Sequence, residues 1–295
     1  MDYSACPVAS GEHVQRLPRP DLRPGVLRYR GFRLTGRTPC RHLELPTDAV
    51  SVTLLLGGSV RMGDTPGGPF PTKAYTAPVS GLRTGALLSE HDSGLVGVEI
   101  EMTPWTAYRL FRIPMSELLN IVREMSDLTG EPGYLADGLS AALAARPDWH
   151  GRFDLLDAAL SALLPPGPSH APSVARAWRH LVQHPGASIA QLAHDVGWSQ
   201  SQLERRFVEQ TGVTPKVAAR IMRLRRSLRL LSDGHSAAEA ALLAGYYDQA
   251  HFSRECKTMT GFPARILRGR REHSDFLQDR SRVRPAQCAS PELAR

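Results

Sequence analysis

The sequence predicts an α+β protein of two domains, a β-rich N-terminal domain and an all-helical C-terminal domain. Three observations predict this. One helical pattern occurs twice, at residues 188–215 and 236–263, whereas the first half has short apolar runs separated by Gly and Pro. Between the halves, PPGPSHAPS at residues 165–173 cannot hold a helix and is typical of a linker. A length of 295 residues suits two domains of ordinary size.

The N-terminal domain is predicted to span residues 25–164 and to begin with strands. Residues 1–24 are rich in Pro and Arg, so we expect a flexible N-terminus. The segment TPGGPFP at residues 65–71 predicts a hairpin-like loop. Six or more short strands at this spacing favour a small β-barrel or a sandwich. The predicted strands are Val26–Leu34, His42–Leu45, Ala49–Leu56, Thr72–Pro78, Gly85–Leu88 and Leu95–Met102.

Three helical segments are predicted to follow the strands, over Ser116–Leu128, Ala136–Ala145 and Phe153–Leu164. Each carries apolar residues at helical spacing on one side. Such a face can pack on the strands of its own chain or pair two copies of the protein. The sequence leaves both arrangements open.

The repeated pattern in the C-terminal half is a short helix, a turn with Gly and an aromatic residue, and a second helix. In the first copy, Gly197 can take the positive φ that ends a helix, and Ser199 can cap the next one. In the second copy Gly245 and Asp248 occupy the matching places. Two helices joined by such a turn are typical of a DNA-binding helix-turn-helix unit.

A single long helix is predicted between the two copies, from Pro215 to Leu231. It has an apolar side and a basic side, and the basic side includes Lys216, Arg220 and Arg223. Seventeen residues span about 26 Å, which is close to the roughly 34 Å between successive major grooves on one side of a duplex. A rod of this length would hold two units against two adjacent grooves.

The C-terminal half resembles the two-unit DNA-binding domain of AraC/XylS-type transcription regulators. The resemblance covers residues 174–271 and is carried by five ordered motifs. It departs from the family at Cys256, where an aromatic residue is usual, and at Tyr246, where Phe is more common. The motifs are LAHDVGWSQSQLERRF, TGVTPK, RLRRSLRLL, AGYYDQAHFSRE and TGFPAR.

This resemblance implies a double helix-turn-helix domain over residues 174–273 that binds double-stranded DNA in a sequence-specific way. Arg and Gln can pair bidentately with guanine and adenine edges. Glu204 could accept a hydrogen bond from cytosine or repel phosphate. From the basic side of the long helix we expect Lys216, Arg220 and Arg223 to contact phosphate. The base contacts that the resemblance implies are Ser201, Gln202, Glu204, Arg205, Gln249, Ala250, His251, Ser253 and Arg254.

The resemblance also implies that residues 25–164 form a cupin-like barrel that senses a small-molecule effector. In regulators of this type the helices after the barrel often pair two protomers, so a homodimer is a further expectation. The resemblance identifies neither the effector nor the residues of its pocket.

The charge distribution agrees with a DNA-binding C-terminal half. The net charge is +7 overall, with −2 over residues 1–172, +8 over residues 173–273 and +1 over the tail, residues 274–295, which we expect to be disordered. A solvated cationic face would have the same charge. The repeated motif favours DNA.

Catalysis and metal binding are not indicated, and we expect no cofactor. The chain has no nucleophile elbow, phosphate loop or dinucleotide fingerprint. His42 and Glu44, with His91 and Asp92, could form a metal site, but the paired-histidine spacing of metal cupins is missing. A cupin-like metal-dependent enzyme with a DNA-targeting domain is thus one alternative. A partner-responsive DNA binder without an effector pocket is the other.

Cellular location is predicted from the cysteines and the apolar runs. The four cysteines are dispersed, which suits a reducing cytosol. The sequence has no signal-peptide pattern at its start, and its longest apolar run is too short for a membrane span. We therefore expect a cytoplasmic protein.

Overall fold

The structure, a computed structural model of the full chain, describes residues 11–35, 40–63, 73–91, 94–128, 131–164 and 172–268. For residues 40, 131–137 and 268 it describes the backbone alone. The N-terminal half is rich in sheet and the C-terminal half is helical, as the sequence predicts.

The described strands of the N-terminal half form two antiparallel sheets. The first has six strands in the order β1-β2-β9-β4-β7-β10, and the second has four in the order β3-β8-β5-β6. Ladder hydrogen bonds join these described strands into two separate sheets and not into one closed barrel. The strands are β1 (Gly11–Arg16), β2 (Val26–Leu34), β3 (Cys40–Glu44), β4 (Val50–Gly57), β5 (Val60–Gly63), β6 (Ala74–Tyr75), β7 (Pro78–Ser80), β8 (Leu87–His91), β9 (Leu95–Met102) and β10 (Val122–Glu124).

Alternation along the central strands separates an apolar face of the larger sheet from a polar one. In β9, Val98 and Ile100 are buried among the main core residues. Glu99 and Glu101, which alternate with them, point to the opposite face and line a cavity between the two sheets. The larger sheet therefore has helices on one face and this cavity on the other.

Two predictions for the N-terminal half are wrong. Residues 11–16 of the expected flexible N-terminus form β1, because this strand pairs with β2 and Arg16 makes ion pairs to the last N-terminal helix. The predicted helix Ser116–Leu128 is instead two 3₁₀ turns separated by β10. Asn120 has a φ of 58°, which a continuing helix does not allow, and β10 pairs with β7. The predicted loop at residues 65–71 lies outside the described residues.

Three helices complete the N-terminal half: α1 (Pro104–Phe111), α2 (Glu131–Ala144) and α3 (Trp149–Leu163). Asp148 caps α3 by accepting a hydrogen bond from the Gly151 amide. The Phe153 ring of α3 stacks on Tyr29 of β2 at 5.8 Å. The apolar face of α3 is thus used within the chain, and pairing of two copies stays a prediction.

The C-terminal half has the two predicted helix-turn-helix units with the long helix between them. The first unit is α5 and α6, the second is α8 and α9, and α7 connects them. Ser199, Thr214, Ser236 and Asp248 each accept a backbone hydrogen bond at the start of a helix. The helices are α4 (Pro172–Gln183), α5 (Ile189–Asp195), α6 (Gln200–Thr211), α7 (Pro215–Ser232), α8 (Ala237–Ala244), α9 (Gln249–Thr260) and α10 (Ala264–Arg268).

The buried face of α8 differs from the expected one. The apolar spacing predicts that Leu243 lies inside, but this side chain is 45% exposed. Ala240, Ala241 and Ala244 are buried instead. Small side chains at these positions let α8 approach α7 closely, and this turns the leucine outward.

The two halves share one hydrophobic core. Trp105 of α1 meets Trp178 of α4 edge to face at 5.8 Å, and Trp178 stacks on Phe207 of α6 at 5.8 Å. Trp178 therefore packs on the first helix-turn-helix unit. Gly212, which ends α6 at a φ of 83°, lies so close to the N-terminal half that an added Cβ would be 2.6 Å from the Met115 carbonyl oxygen.

Within the described ranges, no helix has the length and apolar character to cross a membrane. The predicted linker, residues 165–173, falls mostly outside the described residues, and its last two residues begin α4.

Candidate nucleic-acid interface

The outer face of α6 presents four of the predicted base-contacting residues. Leu203 and Phe207 are fully buried and orient the helix. Arg205 lies between them and points outward, and within the described part of the chain its guanidinium forms no salt bridge, although the charge of Arg205 contributes to the lowered pKa of Glu209. The guanidinium of Arg205 is therefore available to a base edge. The exposed members of the predicted set are Ser201, Gln202, Glu204 and Arg205.

The face of α9 repeats this arrangement with two differences. Gln249, Ala250 and Arg254 are exposed, whereas His251 and Ser253 are half-buried. The His251 ring lies edge-on to Tyr246 at 5.2 Å. Counted from the capping residue of each helix, Arg254 holds the position that Arg205 holds in α6, and it too forms no salt bridge with the described side chains.

Two of the three predicted phosphate-contacting residues lie beside a buried carboxylate. Glu255 of α9 is buried and accepts from Arg220 Nε at 3.3 Å. Arg223 Nη2 lies 3.7 Å from the same carboxylate, and its side chain is only 18% exposed. Lys216 alone of the three is fully exposed. Arg223 thus stabilises the contact between α7 and α9, and its guanidinium is poorly placed to reach a phosphate.

The two departures from the family pattern fit this interior. The Tyr246 hydroxyl donates to Glu255 Oε1 at 3.2 Å, and burial together with the nearby carboxylate raises the pKa of Tyr246. Cys256 is fully buried, as its apolar spacing predicts, and burial raises the pKa of this thiol to about 11. Neither group is ionised at neutral pH.

A second feature of this half of the chain lies at the far side of α7, where Arg225 is buried against the N-terminal half. Arg225 Nη1 lies 2.7 Å from Asp48 Oδ1 and donates to Thr47 Oγ1 at 2.8 Å. The two charged side chains are 7% and 9% exposed. Arg225 also lines the cavity between the two sheets. One residue of the C-terminal half therefore contributes to a cavity of the N-terminal half.

The cavity has a volume of about 120 Å³ and is amphipathic. One end is apolar and includes Phe32, Leu55 and Val60. The other end is polar and includes Arg83 and Arg225. A site with an apolar wall and a few convergent polar groups is the usual form of a small-molecule site.

Charged side chains on the cavity wall are arranged in buried pairs. Arg30 binds both Glu99 and Glu101, at 2.6 and 2.8 Å. Burial raises the pKa of Glu99, although the charge of Arg30 lies beside it. At Glu101 the charges of Arg30 and Arg28 outweigh burial and lower the pKa. Burial also raises the pKa of Glu44. The hydrogen bond with Ser89 lowers this pKa, but by less than burial raises it.

The residues considered for a metal site meet each other in this cavity. His42 Nε2 lies 3.1 Å from His91 Nε2, and the two rings stack at 5.2 Å. Asp92, the fourth residue considered, is outside the described residues. In the described ranges there is no group of three or more His, Cys, Asp or Glu side chains suited to hold a metal ion.

Comparison with known proteins finds similarity in the C-terminal half of the chain. A family model described as a helix-turn-helix domain matches residues 192–270. The match begins within α5 and ends two residues beyond α10, so it covers nearly all of the first helix-turn-helix unit and all of the second. Over 88 residues the chain is 34% identical to an uncharacterized HTH-type transcriptional regulator, YidL, of Escherichia coli (strain K12). The matched region covers 29% of this chain and about 30% of the length of the curated relative.

Solved structures similar to the chain include two bacterial proteins. A transcriptional regulator with an AraC-type DNA-binding domain from Chromobacterium violaceum is 27% identical, with a TM-score of 0.33, over 34% of this chain and 92% of that one. ToxT from Vibrio cholerae strain SCE256, in a structure with an unsaturated fatty acid bound, is 10% identical, with a TM-score of 0.43, over 86% of this chain and 94% of that one.

Sequence reasoning about the C-terminal half missed Arg225 and Glu255. Both were detectable from helical spacing. Arg225 follows Ile221 by four residues and therefore lies on the apolar side of α7, and Glu255 follows Phe252 by three and lies on the inner side of α9. A charge on the apolar side of a helix predicts a buried partner.

Proposed function

We propose that the protein is a sequence-specific DNA-binding transcription regulator. The observation that carries this proposal is the equivalence of Arg205 and Arg254. Both lie six residues after the capping residue of the second helix in a helix-turn-helix unit, both are exposed, and neither forms a salt bridge in the described chain. An arginine so placed can form two hydrogen bonds with guanine in the major groove.

The proposed contacts divide into base contacts and phosphate contacts. The exposed predicted residues of α6 and α9 would meet base edges, with His251 and Ser253 at the margin because they are half-buried. Lys216 would meet phosphate. Arg220 would do so only by leaving Glu255, and Arg223 is the weakest member of the set for the reason given above.

We propose residues 174–273 as the DNA-binding domain and residues 25–164 as the effector domain, with residues 165–173 as the linker. The cupin-like arrangement that we propose for the effector domain is supported by two facing sheets with a cavity between them. The amphipathic lining of this cavity favours a small-molecule effector over a purely partner-responsive binder, and its volume of about 120 Å³ is below the usual range, so the effector would be small. Such a regulator would act on the chromosome in the cytoplasm of a bacterial cell.

Arg225 is the proposed connection between effector and DNA. It lines the cavity from the side of α7, the helix that joins both DNA-binding units. A ligand that contacts Arg225 or its partner Asp48 would change the contact that holds α7 on the effector domain. By linkage, a ligand with different affinity for the two arrangements shifts the equilibrium between them.

We propose no enzymatic activity. The cavity carboxylates Glu99 and Glu101 are engaged by arginines in a structural network, which leaves them unsuited to work as an acid and base pair. Purified protein with a stoichiometric transition metal would contradict this and support the metal-dependent alternative.

The test is selection of genomic DNA fragments by the purified full-length protein at near-physiological salt. The expected result is a motif in two parts, about one helical turn apart and near promoters. The Arg205→Ala/Arg254→Ala double variant is expected to lose the motif while it keeps weak, salt-sensitive binding. Diffuse binding by the wild-type protein, identical to that of the double variant, would contradict sequence-specific recognition.

A further inference from the structure

A second cavity, apart from the one between the sheets, lies where the first recognition helix meets the N-terminal half. It has a volume of about 430 Å³, and α1, the end of α3 and α6 form its wall. Three arginines line it, Arg109 and Arg112 from α1 and Arg206 from α6. No part of the proposed function uses this cavity.

The cavity keeps a positive charge after its internal ion pairs are counted. Glu209 lies beside it, but both carboxylate oxygens are occupied: Tyr108 Oη donates to one at 2.9 Å, and Arg206 Nη1 donates to the other at 3.0 Å. Arg112 is exposed and has no acidic partner in the part of the chain that the structure describes. Several guanidinium groups around one space are typical of phosphate recognition.

The backbone at Arg112 gives an independent reason to look for a ligand. This residue ends α1 in the left-handed conformation, at a φ of 56°. Gly or Asn usually holds that place, because a larger side chain is strained there. The residue with this strained backbone is one of those that line the cavity.

A polar group on the cavity wall lacks a hydrogen-bond partner. Gln210 is 3% exposed, and its Oε1 atom accepts no hydrogen bond in the structure. A buried acceptor without a donor is costly, and a ligand N–H or O–H would satisfy it. Beside it, Leu163 and Leu164 supply a partly buried apolar surface.

We propose that this cavity binds a phosphorylated small molecule of about the size of a mononucleotide. The arginines would hold the phosphate, Gln210 would accept a hydrogen bond from an amino or hydroxyl group, and the leucines would contact the apolar part. The volume lies in the usual range for small-molecule sites, roughly 300–1,000 Å³. Because α6 carries Arg205 on its exposed face, occupancy would bear directly on the first recognition helix.

The test is isothermal titration of the full-length protein without DNA, with AMP, pyrophosphate and adenosine as probes. AMP and pyrophosphate are expected to bind saturably with a Kd below about 1 mM, and adenosine is expected to bind much more weakly. Arg112→Gln, which removes the charge, should weaken AMP binding about tenfold or more. Arg146→Gln changes an exposed arginine outside the cavity and should leave binding unchanged.

A second variant tests the hydrogen bond and separates it from the charge. Gln210→Leu is expected to weaken AMP binding while pyrophosphate binding is retained, because pyrophosphate at neutral pH does not need the acceptor. The proposal is overturned if neither anion binds saturably, if adenosine binds as well as AMP, or if Arg112→Gln binds like the wild-type protein. Since no DNA is present, each of these outcomes is independent of the DNA-binding proposal.

Discussion

Replacing Arg225 by methionine should destabilise the protein strongly, because the contact between Arg225 and Asp48 joins the two halves of the chain. Their closest atoms are 2.7 Å apart, and both side chains are less than a tenth exposed. Solvent therefore does little to screen the pair. Removal of one partner leaves a buried charge without compensation.

The magnitude follows from that burial. Loss of one member of a buried pair costs about 3–5 kcal/mol, which is a large part of the roughly 5–15 kcal/mol by which a typical domain is stable. The Thr47 hydrogen bond to Arg225 is lost as well. In contrast, the double variant Arg225→Met/Asp48→Leu removes both charges of the pair, so we expect it to be less destabilised than either single variant.

The assay is urea denaturation followed by tryptophan fluorescence and by far-ultraviolet circular dichroism. Trp105 and Trp178 lie at the junction of the two halves and report on it directly. Arg229→Met, an exposed residue on the same helix, is the matched control and should change the free energy of unfolding by less than about 0.5 kcal/mol. The two residues are not coupled if the changes in the free energy of unfolding of the two single variants sum to that of the double variant within about 0.5 kcal/mol. That result would refute the reasoning.

Three further predictions concern other parts of the molecule. Arg205→Ala should weaken binding to the selected DNA site by roughly 1–3 kcal/mol and relax the base preference at one or two base pairs. If a repeated selection with this variant gave an unchanged base preference, Arg205 would not be a base-contacting residue. Gly212→Ala should destabilise the protein by more than Gly245→Ala. Both glycines have a positive φ, but only at Gly212 would an added Cβ lie against the Met115 carbonyl. Equal melting temperatures of the two variants would contradict this. Glu44→Gln should stabilise the protein at neutral pH. The pKa of Glu44 is raised in the native protein, so the native state binds a proton at this carboxylate more tightly than the unfolded chain does. The stability of the wild-type protein should therefore fall as the pH rises above about 4.5. Thermal melts of the Glu44→Gln variant should lack this part of the pH dependence.

The two helix-turn-helix units were predictable because their signals are local. Ser199 and Asp248 cap helices through contacts with residues three positions away, and Gly197 and Gly245 take the positive φ expected of them. A pattern written within some thirty residues, and written twice, needs no long-range contact to be recognised.

The N-terminal half was less predictable because its strands depend on distant partners. β1 exists through its pairing with β2, and β10 through its pairing with β7. The Ser116–Leu128 segment has helical spacing, yet hydrogen bonds from Thr76 and Ala77 to Glu124 hold part of it as a strand. Long-range pairing outweighed local propensity here.

The sequence by itself determined the duplicated units, the position of the long helix and the excess of positive charge around them, because each depends on neighbours along the chain. Only the tertiary structure decided which arginines face outward. Arg205 and Arg254 remain exposed, and Arg223 turns to Glu255. Arg225 lines the cavity between the sheets, and Arg112 lines a second cavity. These side chains have the same chemistry in the sequence. Their roles differ because burial and the distance to a carboxylate are set by packing between distant segments.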